Sequence, residues 1–212
     1  LDRVLKIGRP QGPPFNINSA VDSLLKSEFD IHRAKGMKHP IQHEYGIDAE
    51  PAPHELLDKW RENFHGIQYH HEPTNFLVFG AIDDLWINSA GEYIVVDYKA
   101  TAKNEPVTEL GEAGYHYQYR RQIEFYQWLL RKNGLKVSNT GYWVYCTGNP
   151  NAGSFDKKVE FDVHLIEHEG NDSWVEGALK RAKACLDSDD IPAPNESCDY
   201  CTYIAAAKKV GE

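Results

Sequence analysis

Three groups of residues carry types and spacings that could do chemistry. Asp83 and Asp84 stand together in Gly80-Ala81-Ile82-Asp83-Asp84. Asp97 and Lys99 follow in Val95-Val96-Asp97-Tyr98-Lys99, and Gln122 and Tyr126 stand four apart further on. Side chains alternate along a strand, so Asp97 and Lys99 share one face if their segment is extended. An antiparallel neighbour brings Asp83 or Asp84 alongside them. A pair of aspartates offers hard oxygen ligands suited to Mg²⁺ or Mn²⁺. A lysine beside such an ion can position a water nucleophile or stabilise charge growing on a phosphoryl oxygen. The plain alternative for an isolated Asp-x-Lys is a salt-bridged sheet edge. Residues four apart on a helix face the same way, so Gln122 and Tyr126 stack together. A glutamine in an apolar stripe needs a hydrogen-bond partner.

The elements that must position these groups are legible in the periodicity. Residues 16–36 follow a helical pattern, with Val21, Leu24, Leu25 and Phe29 on one stripe and Gly36 as the stop. The Gly/Pro-rich opening reads as a loop, residues 37–53 as irregular, and residues 54–64 as a short helix. FLVFGAIDDLWI and EYIVVDYKA are rich in β-branched and aromatic residues and flank an NSAG turn, which predicts consecutive strands. EYIVVDYKA is apolar on both alternating faces, as a central covered strand would be. Residues 115–133 return to helical spacing, with Tyr115, Tyr119, Gln122, Tyr126 and Leu129 on one stripe. Strands over 137–147 and 157–166 and a helix over 172–187 follow, then a tail over 192–212 containing Cys198 and Cys201. The order predicts one α/β domain over residues 1–212, a mixed central β-sheet flanked by helices. Leu1 at the start suggests a segment missing upstream.

The chain has 212 residues, 23 basic against 32 acidic, for a net charge of −9. That excludes nonspecific coating of nucleic acid or anionic membrane by a basic footprint. It leaves room for a nuclease, whose metal-binding carboxylates add negative charge. Tyr98 to Lys136 runs against the trend, with seven Lys/Arg and four Glu. Arg120 and Arg121, beside the Gln–Tyr pair, are candidate phosphate contacts. Tyr115, Tyr117 and Tyr119 are candidates for stacking on unpaired bases. Trp60, Trp128 and Trp174 fit apolar helical positions. No apolar run approaches the roughly 20 residues of a membrane span. Four cysteines in a chain of this length suggest a reducing compartment, and so the cytoplasm. Cys146 and Cys185 read as core thiols.

Together, Gly80-Ala81-Ile82-Asp83, Asp97-Tyr98-Lys99 and Gln122-Ile123-Glu124-Phe125-Tyr126 resemble the PD-(D/E)xK nuclease superfamily, and within it the RecB-like branch that includes the exonucleases of CRISPR spacer acquisition. The resemblance runs from about residue 17 to 203. It implies a restriction-endonuclease-like fold and a Mg²⁺- or Mn²⁺-dependent deoxyribonuclease. It implies DNA ends as substrate, a role in repair, recombination or CRISPR-type processing, and a place as a subunit of such a complex. Asp83, Asp97 and the carbonyl of Tyr98 would bind the metal, with Asp84 the rival to Asp83. Lys99 would position or activate water, and Gln122 and Tyr126 would orient Lys99 and the nucleic-acid backbone. Tyr119, Arg120 and Arg121 would touch DNA.

Two departures from the pattern stand out. Where the branch often carries a histidine ligand on the first helix, this chain has Asp22, itself a competent ligand for a hard cation. His39 and His43 are weaker substitutes, and alternation sends His70 and His71 to opposite faces. The branch's iron–sulfur members use four cysteines, whereas here only Cys198 and Cys201 are placed for such a role. A [4Fe–4S] or Zn²⁺ site would therefore need ligands upstream of Leu1. The competing reading is a catalytically inactive member that binds nucleic acid or a partner protein.

Overall fold

The structure is a computed structural model describing residues 6–8, 10, 16–112, 114–195 and 197–210. It divides into two units. The larger is Asn16–Lys180, and the smaller gathers the terminal segments, Leu1–Phe15 and Arg181–Glu212. The Gly/Pro-rich opening read as a loop lies largely outside the described residues.

The larger unit opens with helix α1 (Asn16–Lys35) and a short helix α2 (Pro40–Glu44). Strand β1 (Glu50–Pro51), helix α3 (Leu57–Trp60) and the hairpin β2 (Ile67–His71) and β3 (Phe76–Gly80) follow. Then come β4 (Asp84–Ile87), β5 (Tyr93–Ala102), helix α4 (Gly114–Lys132), β6 (Thr140–Gly148) and β7 (Phe161–Glu169). Helix α5 (Trp174–Leu186) runs into the smaller unit, which also contains helix α6 (Asp199–Lys208).

Five strands form a mixed sheet in the order β1-β4-β5-β6-β7. Among the strand pairs of this sheet, β5 and β6 run parallel and β1–β4, β4–β5 and β6–β7 antiparallel. Two parallel neighbours need a crossover, and α4 supplies it. The sheet is covered on both faces, which is why β5 reads as a nearly unbroken apolar run. Ile94, Val96 and Tyr98 pack with Phe29 of α1 and with Trp86, Tyr142 and Val144. Val95 packs on the opposite side with Leu85, Trp143 and the α4 residues Ile123 and Leu129. Parity along β5 therefore sends Asp97 and Lys99 towards α4.

This is the α/β architecture expected from the sequence, with local corrections. FLVFGAIDDLWI is not one strand. It breaks at Gly80, so β3 pairs only with β2, while β4 joins the main sheet. The Ile82 N–H bonds the Trp60 carbonyl at 3.1 Å, pulling the link out of the hairpin. The helix expected over 54–64 contracts to one turn, because the chain reverses at Phe64 and Gly66, both at positive φ. Residues 37–53 are less irregular than their prolines suggest: Pro40 opens α2, and His39 and Gln42 cap it reciprocally. The strands expected over 137–147 and 157–166 begin three and four residues later, as β6 and β7. The tail forms α6. Leu24 is exposed rather than part of the buried stripe, and Cys185 is exposed rather than a core thiol; Cys146 is buried.

A buried network around Asp84 ties α1 to the sheet. The fully buried Asp84 carboxylate accepts from Arg33 of α1, from Arg61 Nη2 at 2.9 Å, from its neighbour's Leu85 N–H at 2.9 Å and from the Tyr98 hydroxyl at 2.8 Å. Arg61 also donates to Asp30 of α1 at 2.8 Å and to the Asp83 carbonyl at 2.9 Å. Removing one member of a buried, fully partnered ion network strands the others. Asp84→Ala is expected to cost about 3–5 kcal/mol in denaturant-induced unfolding. Leu24→Ala, on the exposed face of α1, should stay within about 0.5 kcal/mol of the parent.

Candidate metal and nuclease site

The antiparallel register pairs Asp84 with Val96, which places Asp83, one residue earlier, beside Asp97. Consecutive residues point to opposite faces, so the two adjacent aspartates part company. Asp84 turns into the arginine clamp, and Asp83 turns to the side that carries Asp97 and Lys99. Asp83 Oδ2 accepts the Tyr98 N–H at 2.8 Å.

Burial, followed by the neighbouring charge of Asp97, pushes the Asp83 carboxyl up to about 7. Burial also holds Asp97 above the ordinary carboxylate range, against the pull of its ion pair with Lys99. Lys99 behaves oppositely. Burial alone would lower it, but the Asp97 carboxylate more than offsets that, and the ammonium is held above its usual value. Lys99 is thus an ammonium, a hydrogen-bond donor, at neutral pH.

From α4 a hydrogen-bonded relay holds Lys99. Its Nζ donates to Gln122 Oε1 at 3.2 Å, and Gln122 Nε2 donates to the Tyr126 hydroxyl at 2.9 Å. The Tyr119 ring lies 4.6 Å from the ammonium. Gly80 makes the relay possible: a Cβ there would sit 2.7 Å from the Tyr126 ring. The glycine of the Gly-x-x-Asp motif thus makes room for the tyrosine of Gln-x-x-x-Tyr.

Asp22 reaches the same place from α1. It is half-buried, and its charge is felt by both Asp83 and Asp97. Lys26, which sequence reading passed over, stands between them: Nζ donates to Asp22 Oδ2 at 2.8 Å and lies 3.5 Å from Asp83 Oδ1. Its position one helical turn after Asp22 was the available signal. Arg61, anchoring the Asp83 backbone, was also passed over; nothing local to its sequence announces that contact.

Other candidates lie elsewhere. Arg120 donates to the carbonyls of Leu110 and Gly111. The Arg121 guanidinium stacks 3.4 Å from the Trp174 ring centroid and bonds the Tyr117 hydroxyl. Neither arginine joins the carboxylates. Tyr115 and Tyr117 are exposed. His39 is the cap of α2 and bonds Glu28 at 2.9 Å, and His43 is exposed. His70 faces solvent, while His71 is buried between Thr74 and Glu176.

Among the described residues no three His, Cys, Asp or Glu side chains are grouped to hold a metal ion. The donor set at the carboxylates nonetheless suits Mg²⁺ or Mn²⁺. Mg²⁺ is commonly bound through one or two carboxylates and keeps several waters. The fully buried Asp97 and the partly buried Asp83, both raised above the ordinary carboxylate range, are such a pair. Cys198 and Cys201 lie at the start of α6 in the smaller unit, where a hydrogen bond from Cys201 holds the Cys198 thiol below its ordinary value. Two thiols do not complete a zinc or iron–sulfur site.

Residues 16–206 match the PD-(D/E)XK nuclease superfamily, and the chain belongs to it. No curated protein matches the chain. Nuclease-like function, a nucleic-acid substrate and the general use of Mg²⁺ or Mn²⁺ come with that membership. No described helix is long and apolar enough to cross a membrane.

A carboxyl raised in the folded state gives stability that is full below its unfolded value and is lost as pH rises through its folded value. For Asp83 that window runs from about 4 up to about 7. In thermal melts without divalent ions, the parent should lose stability between about pH 5 and about pH 8 relative to Asp83→Asn, by roughly 5 °C. Mn²⁺ should raise the parent's melting temperature more at the higher pH. Parallel curves for the two proteins would contradict the assigned Asp83 environment.

Proposed function

We propose that this protein is a divalent-metal-dependent deoxyribonuclease of the RecB-like branch, hydrolysing phosphodiesters at DNA ends in repair, recombination or CRISPR-type processing. The observation that carries this reading is the convergence of Asp83, Asp97, Lys99, Gln122 and Tyr126 at one end of the sheet. They form one connected polar chain in which each member constrains the next.

In this reading Asp83 and Asp97 hold the ion, with the Tyr98 carbonyl and Asp22 as further ligands. Asp84 takes no part in that role in this reading, because its carboxylate is engaged by Arg33, Arg61, the Leu85 N–H and the Tyr98 hydroxyl. A bound divalent ion would supply Lewis acidity at a phosphoryl oxygen and lower the pKa of a water ligand. The protein's own groups do the positioning. Asp97 and Gln122 fix the Lys99 ammonium, so its protons point at a defined place without reorganisation during the reaction. As an ammonium, Lys99 orients the attacking water and stabilises charge on the phosphate; it does not abstract a proton. Tyr126 holds Gln122 in the orientation that presents its oxygen to Lys99. Tyr119 covers Lys99 and offers a ring to the nucleic acid. Arg120 and Arg121, in the locally basic stretch, contact phosphates further along the strand once DNA draws them from their present partners.

The test is cleavage of end-labelled single- and double-stranded DNA with Mg²⁺, Mn²⁺ or EDTA. Asp97→Ala and Lys99→Ala should each lose at least about 10³-fold in rate while keeping the parent's circular dichroism. Gln122→Ala should lose less, about 10–100-fold, because Asp97 still holds the lysine. Undiminished cleavage by either of the first two variants would overturn the assignment.

A further inference from the structure

Lys26 is the one charged group at this site that the nuclease reading leaves without a role. Its ammonium bridges two carboxylates, bonding Asp22 Oδ2 at 2.8 Å and lying 3.5 Å from Asp83 Oδ1. The side chain is mostly buried, 22% exposed, so the contact is poorly screened by solvent. The three carboxylates are not equivalently partnered. Asp97 has its own cation in Lys99, and Asp83 Oδ2 is taken by the Tyr98 N–H. The free oxygen of Asp83 and one oxygen of Asp22 are the two that Lys26 covers.

We infer that Lys26 is an intrinsic competitor for the metal: it neutralises Asp22 and Asp83 in the metal-free protein and is displaced when a divalent cation binds there. This rests on the reading of the carboxylates as a metal site. With all three carboxylates ionised, they and the two ammoniums leave a net −1. A divalent ion added beside Lys26 would make the cluster +1, whereas exchange for Lys26 makes it neutral. Two cations on the same oxygens repel strongly in a poorly solvated place. The structure allows Lys26 to leave cheaply, because it is held by one hydrogen bond to its own helix and a looser contact to Asp83. Lys99, held by Asp97 and Gln122, has no such freedom. The two lysines of the site therefore divide the work, one fixed for chemistry and one exchangeable with the ion.

The experiment is Mn²⁺ titration of the full chain, read as free Mn²⁺ by electron paramagnetic resonance, for the parent, Lys26→Met, Lys26→Arg and Asp97→Asn. Lys26→Met should bind Mn²⁺ at least about tenfold more tightly. Lys26→Arg, which keeps the competing charge, should stay near the parent. Equal or weaker binding by Lys26→Met would overturn the inference. Asp97→Asn separates the two readings: if it binds Mn²⁺ as well as the parent does, the two-carboxylate metal site itself fails. Should Lys26→Met not fold, the ¹⁵N resonance of the Lys26 ammonium in the parent decides the matter. It should be protected and hydrogen-bonded without metal and should lose that protection on Mg²⁺ addition. A resonance unchanged at saturating Mg²⁺ would contradict displacement.

Discussion

The buried Asp84 carboxylate, gripped by Arg33, Arg61 and the Tyr98 hydroxyl, is the constraint on which the rest of the site depends. These four residues come from α1, from the turn after α3, and from two adjacent strands. A carboxylate with no solvent is tolerable only when it is fully partnered, so the four elements cannot drift independently. Arg61 extends the grip to the Asp83 carbonyl, and Tyr98 extends it to the Asp83 carboxylate through its N–H. One aspartate thus fixes the position of the next. The stable, fully neutralised charge sits on one face of the sheet, and the poorly neutralised charge sits on the other.

That asymmetry explains the electrostatics of the site. Asp83 and Asp97 are both raised, chiefly because burial penalises their charge; the Asp97 charge raises Asp83 further, and the Asp22 charge adds to both. Such a pair is costly by itself and becomes favourable when a cation arrives. Lys99 and Lys26 each relieve part of the cost, from opposite sides. The scaffold supplies the stability that lets the site remain strained in charge, a common division between the body of a protein and its functional site.

Much of this geometry was legible in the sequence, and for identifiable reasons. The period of two puts Asp97 and Lys99 on one face, and the helical period puts Gln122 and Tyr126 on another; both relations are local. The choice between Asp83 and Asp84 required the register of β4 on β5, which the sequence does not print. Parity then separates the two aspartates. The break at Gly80–Asp83 was hidden because the residues on both sides favour strand; what breaks it is the Tyr126 ring packed against Gly80 and the Ile82 hydrogen bond to Trp60. The i,i+4 spacing of Asp22 and Lys26 was readable. The reach of Lys26 to Asp83 and of Arg61 to the Asp83 carbonyl was not, because both act across tens of residues through the tertiary placement of α1 and of the turn after α3. Arg121 shows the converse: its basic neighbourhood suggested phosphate, while in the fold it rests on Trp174, a partner fifty-three positions away.

Anomalous scattering from a crystal of the protein grown with Mn²⁺ tests most directly whether Asp83 and Asp97 form a divalent-metal site. A peak at about 2.0–2.2 Å from oxygens of both aspartates would agree with the account. A peak coordinated by Asp84, or an ordered Mn²⁺ elsewhere with Asp83 and Asp97 untouched, would contradict it.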